Sequence, residues 1–280
     1  MPTEIRSSRV SANGVDFALL ECGEGPLALC LHGFPDSAHT WRHLLPRLAD
    51  AGYRAVAPFM RGYAPTSVPD DGRYQTGVLG QDAIALHDVL GGDADSVIIG
   101  HDWGAIATTA AAVHEPGRWR KVVSMAVPPG PAVGVTFLTN LDQIKRSWYM
   151  FFFQHDFADM VVPANDLAYI DMLWRDWSPG HDATEDLALL KPSLRDPANL
   201  TAALGYYTAH LTKSAGWSAL VAAGEFAPTA LLGINVMKSP PLVNQNVSVG
   251  SVQPLAATNS VAVPPPQVMS QAALAGPTAG

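Results

Sequence analysis

The segment from Ser96 to Thr109 places a carboxylate where chemistry would want a nucleophile. An apolar run, Val97 to Ile99, drives into a turn framed by Gly100 and Gly104 and leaves as a helix of small residues. That is the strand–turn–helix setting of a nucleophile elbow, with Asp102 at the apex in place of serine. An apex residue is held in a strained backbone conformation, and the two glycines let strand and helix approach without Cβ clashes. A carboxylate in this position is suited to attack carbon and form an alkyl-enzyme ester. No Gly-x-Ser-x-Gly occurs, which excludes a serine esterase. The partners that such a nucleophile needs for turnover are missing: no histidine follows His210 and no aspartate follows Asp196.

A second turn precedes the elbow. His32-Gly33-Phe34-Pro35 closes the apolar run Leu27 to Leu31. Read alone it is a plain Gly/Pro turn. Beside an elbow, the backbone N–H of Phe34 can pair with that of Trp103 to form an oxyanion hole. His32 and His101 then read as turn residues that satisfy backbone hydrogen bonds. The other histidines fall on predicted helices or in the later aromatic text. His155-Asp156 and His181-Asp182 have the look of metal-ligand pairs, but nothing adds a third ligand at helical spacing, so no metal is expected. The chemistry asks for no cofactor.

These turns need a rigid frame, and the pattern provides one. Strands are predicted within residues 8–33 (Val15 to Leu20 and Leu27 to Leu31), then from Tyr53 to Pro58, Ser96 to Gly100 and Lys121 to Val127. Helices are predicted from Ala38 to Asp50, Gly80 to Leu90 and Gly104 to His114. Such alternation predicts an α/β fold with a mostly parallel sheet and helices on both faces. The fully apolar run Leu27 to Leu31 fits a central strand covered on both sides. From about residue 130 to 213 the text turns aromatic and helical, as an inserted helical cap does, and 214–235 returns to the core with a strand at Thr229 to Gly233. The core's first part is 1–129.

Residues 236–280 differ from everything before them. Lys238 is the only charged residue there, against 41 in the first 235, and seven prolines occur without helical or alternating periodicity. The last strands of the fold are therefore expected to be incomplete, with an irregular tail. A shift of reading frame near Val236 accounts for both the tail and the missing partners: codons for Gly-Asp-Glu-Val-Ala, read one frame out, can yield Val236-Met237-Lys238-Ser239-Pro240. A net charge of −8 without a basic cluster argues against nucleic acid, and no apolar span is long enough for a membrane. Two cysteines, Cys22 and Cys30, read as reduced core residues of a cytoplasmic protein.

Three segments together carry a resemblance: Leu31-His32-Gly33-Phe34-Pro35-Asp36-Ser37, Arg61-Gly62-Tyr63-Ala64-Pro65-Thr66 and Gly100-His101-Asp102-Trp103-Gly104. In order and spacing they resemble the epoxide hydrolase branch of the α/β-hydrolase superfamily, over residues 8 to 235. The resemblance implies an α/β-hydrolase fold, Asp102 as nucleophile, and two cap tyrosines that hold and protonate the epoxide oxygen of a small apolar substrate. Tyr149 matches the first tyrosine position and Tyr207 the second, with Tyr206 competing for it. It also implies an acid after the strand at Thr229 to Gly233, where Val236 stands, and a histidine one strand later. An acid after the preceding strand is lacking too, since Val122 to Asn140 contains no Asp or Glu. No general base is found, so turnover is expected to be impaired. A haloalkane dehalogenase would use the same Asp102 with Trp103 as halide donor. An inactive binding protein on the same fold would need no base at all.

Overall fold

The computed structural model describes residues 4–211 and 232–234. The chain divides into two units, 1–245 and 246–280, and every described residue belongs to the first. Seven strands form one sheet in the order β1-β2-β4-β3-β5-β6-β7. They are β1 (Arg6–Ala12), β2 (Val15–Cys22), β3 (Leu27–Leu31), β4 (Arg54–Pro58), β5 (Val97–His101), β6 (Lys121–Met125) and β7 (Leu232–Ile234). β1 and β2 form an antiparallel hairpin, and β2 runs antiparallel to β4. All other pairings are parallel. The sheet is mostly parallel, as expected.

The central strands read as they fold. Each of the five residues of β3 is buried, as are Val97 to Gly100 of β5. Burying a side chain such as Leu29 or Ile98 contributes about 1.5–3 kcal/mol each. Three helices cover the sheet: α1 (Leu45–Asp50), α2 (Thr76–Val89) and α3 (Trp103–His114). The predicted helix at Ala38 to Asp50 is in fact two pieces. A 3₁₀ turn, Ala38–His43, hands over to α1 at Leu44, just ahead of Pro46, which sits in the first turn of α1. Proline has no N–H and suits a helix start better than an interior. The helix predicted from Gly80 begins instead at Thr76, because tertiary packing of Val78 and Leu79 carries it through Gly77 and Gly80. β6 stops at Met125 rather than Val127, since Ala126 takes φ 70° and ends the strand.

Between β6 and β7 the described chain is helical: α4 (Gly130–Thr139), α5 (Leu141–Arg146), α6 (Trp148–Phe152), α7 (Phe157–Val161), α8 (Ala164–Trp177), α9 (Thr184–Leu190) and α10 (Pro197–Leu211), with a 3₁₀ turn at Lys191–Ser193. This block meets the sheet over the carboxyl ends of its strands. Trp174 Nε1–H donates to the Pro35 carbonyl just after β3 (2.8 Å), and Asn199 donates to the Gly62 carbonyl after β4 (2.7 Å). β7 falls on the strand expected at Thr229 to Gly233, extended to Ile234; residues 229–231 and the whole 236–280 tail lie outside the described residues.

Candidate active site

Chain order places the site. β3 is flanked by β4 on one side and β5 on the other, so the connections leaving β3 and β5 diverge. In open α/β sheets the crevice at that switch point, beyond the carboxyl ends, takes the ligand. Leu31 pairs with Gly100 in the parallel register, so the turns after the two strands emerge side by side.

Asp102 lies at the apex of the turn from β5 into α3, with φ 54° and ψ −118°. A non-glycine residue in that region costs about 1–3 kcal/mol, and its surroundings must impose it. Its N–H donates to the Met125 carbonyl (3.3 Å), while its own carbonyl accepts from the N–H groups of Ala105 (2.9 Å) and Ile106 (3.2 Å). A Cβ on Gly104 would overlap the Leu31 carbonyl, and one on Gly100 would overlap the Gly104 carbonyl. The close approach read from the sequence is thus a backbone-to-backbone contact. Gly33 is held in the same way, since a Cβ there would overlap the Asp102 side chain.

The β3 turn supplies donors. The Phe34 N–H donates to Asp102 Oδ1 at 2.8 Å, and the Trp103 N–H also bonds the carboxylate. His32 fixes the turn: its Nδ1–H donates to the Gly33 carbonyl (2.9 Å) and its Nε2 accepts from the Met60 N–H (3.0 Å). Full burial pushes its pKa down to about 4, so it is a neutral structural imidazole. Pro35 follows a cis peptide and offers its carbonyl to Trp174. His101 departs from the expectation that its ring satisfies backbone groups. Its Nδ1 is buried without a hydrogen-bond partner among the described residues, because strand pairing with β6 already satisfies the local backbone. Burial lowers the His101 pKa, and the nearby Asp102 charge opposes that shift.

Two phenols come from the helical block. Tyr207 is 2% exposed and packs edge-on against Trp103 (5.1 Å between centroids), Phe34 (5.4 Å) and Tyr149 (5.8 Å). Tyr149 leans on Trp177 at 4.8 Å. Burial raises the pKa of both phenols, and the Asp102 charge adds to it, so each keeps its proton and can donate. The Tyr207 hydroxyl is buried without a hydrogen bond of ordinary geometry among the described residues, and it interacts with Tyr149 and Trp103. Tyr206 is committed elsewhere: its hydroxyl donates to the Arg61 carbonyl at 2.8 Å and its ring packs on Tyr63 and Tyr74. Burial raises the Asp102 pKa, and His101 with the two backbone donors pulls it back toward the carboxylate.

Two further groups sense this carboxylate, and the sequence reading assigns neither a role. Asp36, two residues past Phe34, is pushed up to about 7 by burial, with contributions from Asp186 and Asp102. Tyr63, in the loop after β4, is buried with a hydroxyl that has no hydrogen-bond partner among the described residues, and it feels both Asp102 and Asp36. Their signal in the sequence is position alone, each in a turn at the carboxyl end of a core strand. Among the histidines of the helical block, His210 has both ring nitrogens engaged: Nδ1 with the Tyr206 carbonyl (2.7 Å), Nε2 accepting from the Thr76 N–H (2.9 Å). His155 Nδ1 accepts from the Phe157 N–H at 3.1 Å, and His181 pairs with Asp186 at 2.8 Å. Among the described residues no three His, Cys, Asp or Glu side chains group to hold a metal ion, and no helix is long and apolar enough to cross a membrane.

With this geometry in place, known proteins give a consistent match. The model of the alpha/beta hydrolase fold family aligns with residues 26–232. An epoxide hydrolase of Caballeronia sordidicola is 40% identical over 125 residues, which cover 44% of this chain and 38% of that protein. The AB hydrolase superfamily protein YfhM of Bacillus subtilis is 30% identical over 210 residues, 73% of either chain. Among solved structures, a Bacillus megaterium epoxide hydrolase in complex with an inhibitor superposes with a TM-score of 0.66 at 27% identity, covering 74% of this chain and 73% of that one. The chain thus matches less than half the length of the curated epoxide hydrolases it resembles. It belongs to the alpha/beta hydrolase fold family, on the epoxide hydrolase branch of that superfamily.

Proposed function

We propose that this chain opens a small apolar epoxide by attack of Asp102 and then stalls as the alkyl-enzyme ester. Asp102 Oδ1 accepts the Phe34 N–H, which leaves Oδ2 to attack a ring carbon. The C–Oδ2 bond forms as the ring C–O bond breaks, and the departing alkoxide takes a proton from Tyr149 or Tyr207. Strain in the three-membered ring supplies the drive, so no base is needed for this step. Residues 130–213 act as the cap that brings both phenols over the nucleophile, and the two N–H groups of Phe34 and Trp103 form the oxyanion hole. Buried thiols at Cys22 and Cys30 fit a cytoplasmic protein.

The second half-reaction needs water deprotonated by a positioned base, worth about 10²–10⁴-fold in rate. His210 is tied to Thr76 and Tyr206, and His155 to its own helix start, so neither is placed for the task. The observation that carries the proposal is the strained Asp102 with a backbone N–H on one oxygen and two protonated phenols nearby. Incubating the purified chain with styrene oxide tests it. One equivalent of epoxide per chain should be consumed, followed by arrest. Sustained diol formation would show a base at work, and no consumption at all would favour a non-catalytic binding protein on this fold.

A further inference from the structure

We propose that the chain carries an accessory site for an aliphatic carboxylate, away from Asp102, in the groove between the β1–β2 hairpin and helix α9. The groove has a volume of about 690 Å³, within the range of about 300–1,000 Å³ that small-molecule sites occupy. None of Asp102, Phe34, Trp103, Tyr149 or Tyr207 lines it. Its walls come from the hairpin, the loop after β4 and the segment from α9 to Ser193. The Ala64 N–H donates to the Ser193 carbonyl (3.1 Å), which ties the loop to the helical block at this point.

The chemistry of the lining selects the ligand. Leu20, Phe59, Pro65 and Leu189 make an apolar trench, and among the described residues no Asp or Glu lines it, although the chain carries a net charge of −8. Arg9 stands at its edge. In the hairpin register Arg9 faces Ala18, and Leu20 lies two residues further along β2; in a pleated strand that spacing puts Ala18 and Leu20 on the face from which Arg9 projects. Arg9 has no ion-pair partner among the described residues. An unpaired guanidinium beside apolar surface matches a single carboxylate followed by a hydrocarbon chain, since the planar fork binds two oxygens at once. His39 adds a second polar contact. Its ring sits edge-on to Phe59 at 5.3 Å, and burial, with Arg42 nearby, lowers its pKa, so either neutral tautomer offers one N–H. No hydrogen bond engages its ring nitrogens among the described residues.

Titration of the full chain with octanoate at pH 7.5, read by calorimetry, tests the site, with octanol as the uncharged control. One saturable octanoate site is expected, about tenfold tighter than octanol, because a charge-assisted hydrogen bond is roughly twice as strong as a neutral one and the difference is about a factor of ten in affinity. Arg9→Gln should remove the tenfold preference and leave octanol binding unchanged; Arg9 is exposed on an edge strand, so the fold survives. Leu189→Asp should abolish binding of both. Chain already alkylated by styrene oxide should bind octanoate as before. Equal octanoate affinity in Arg9→Gln, or loss of octanoate binding after alkylation, would overturn the proposal; the second outcome would put the ligand at Asp102.

Discussion

The two halves of the candidate site are held by different forces. The turns after β3 and β5 are fixed by backbone hydrogen bonds and by glycines in contact with carbonyls, so Asp102 has almost no freedom. The phenols opposite are placed mainly by ring packing, Tyr149 on α6, which leaves Trp148 45% and Phe151 47% exposed, and Tyr207 on α10. Covalent geometry and hydrogen bonds specify a position to tenths of an ångström, whereas edge-to-face ring contacts tolerate sliding. The proposed nucleophile is therefore fixed by the core backbone, and the proposed proton donors by ring contacts, with Tyr149 half-buried and Tyr207 buried. Breaking each half should have a different signature.

The largest effect should come from Asp102→Asn. Asparagine tolerates left-handed φ and can still accept the Phe34 N–H, so thermal stability should change little while epoxide consumption falls to background. Next is Gly104→Ala, whose methyl group meets the Leu31 carbonyl. It should cost about 3 kcal/mol or prevent folding, as overpacking of backbone against backbone does. Gly134→Ala, in α4 with open space around its Cα, is the matched control and should be neutral or stabilising by about 0.5–1 kcal/mol in urea denaturation. The same chemical change thus discriminates the two regions.

Replacing phenols should move rates rather than stability. Tyr207→Phe and Tyr149→Phe should each slow the first turnover by about 10–100-fold, and the pair together by more. Tyr206→Phe should do the reverse, sparing the rate but costing about 1 kcal/mol, because the Arg61 carbonyl loses its donor. A slow first turnover in Tyr206→Phe with a normal one in Tyr207→Phe would reassign the second donor.

The smallest expected effect concerns Asp36. Its pKa of about 7 lies above the ordinary 3.8, so between those values the folded chain holds a proton that the unfolded chain releases. Stability from this group is present at low pH and is lost as pH rises toward 7. Asp36→Asn should therefore flatten the decline between about pH 4 and 7 by on the order of 1 kcal/mol, measured by denaturation at each pH. An unchanged pH profile would show that Asp36 ionises freely.

Most of the rigid half was legible in the sequence and little of the soft half was. The tight turn at Asp102 could be read because Gly100 and Gly104 are demanded by local contacts, and β3 because a strand buried on both faces has no polar residue to place. Tyr149 and Tyr207 emerged only through resemblance, since a lone tyrosine in helical text carries no positional signal. Asp36, Tyr63 and His101 could not be grouped beforehand. Parallel pairing of β3 with β5 and β4 brings their turns together across long stretches of chain, and no local pattern records that. Helix ends were shifted where proline or glycine competed with packing, as at Pro46 and Gly77.

On the proposed chemistry Asp102 performs the first step, and no described residue is placed to complete the second. Intact-mass measurement after incubation with a small epoxide, followed by peptide mapping, tests it most directly. One added epoxide mass per chain is expected, located on Asp102, absent from Asp102→Asn and persistent after the free epoxide is removed. An adduct on another residue, or an unmodified chain that has turned over many equivalents, would contradict it.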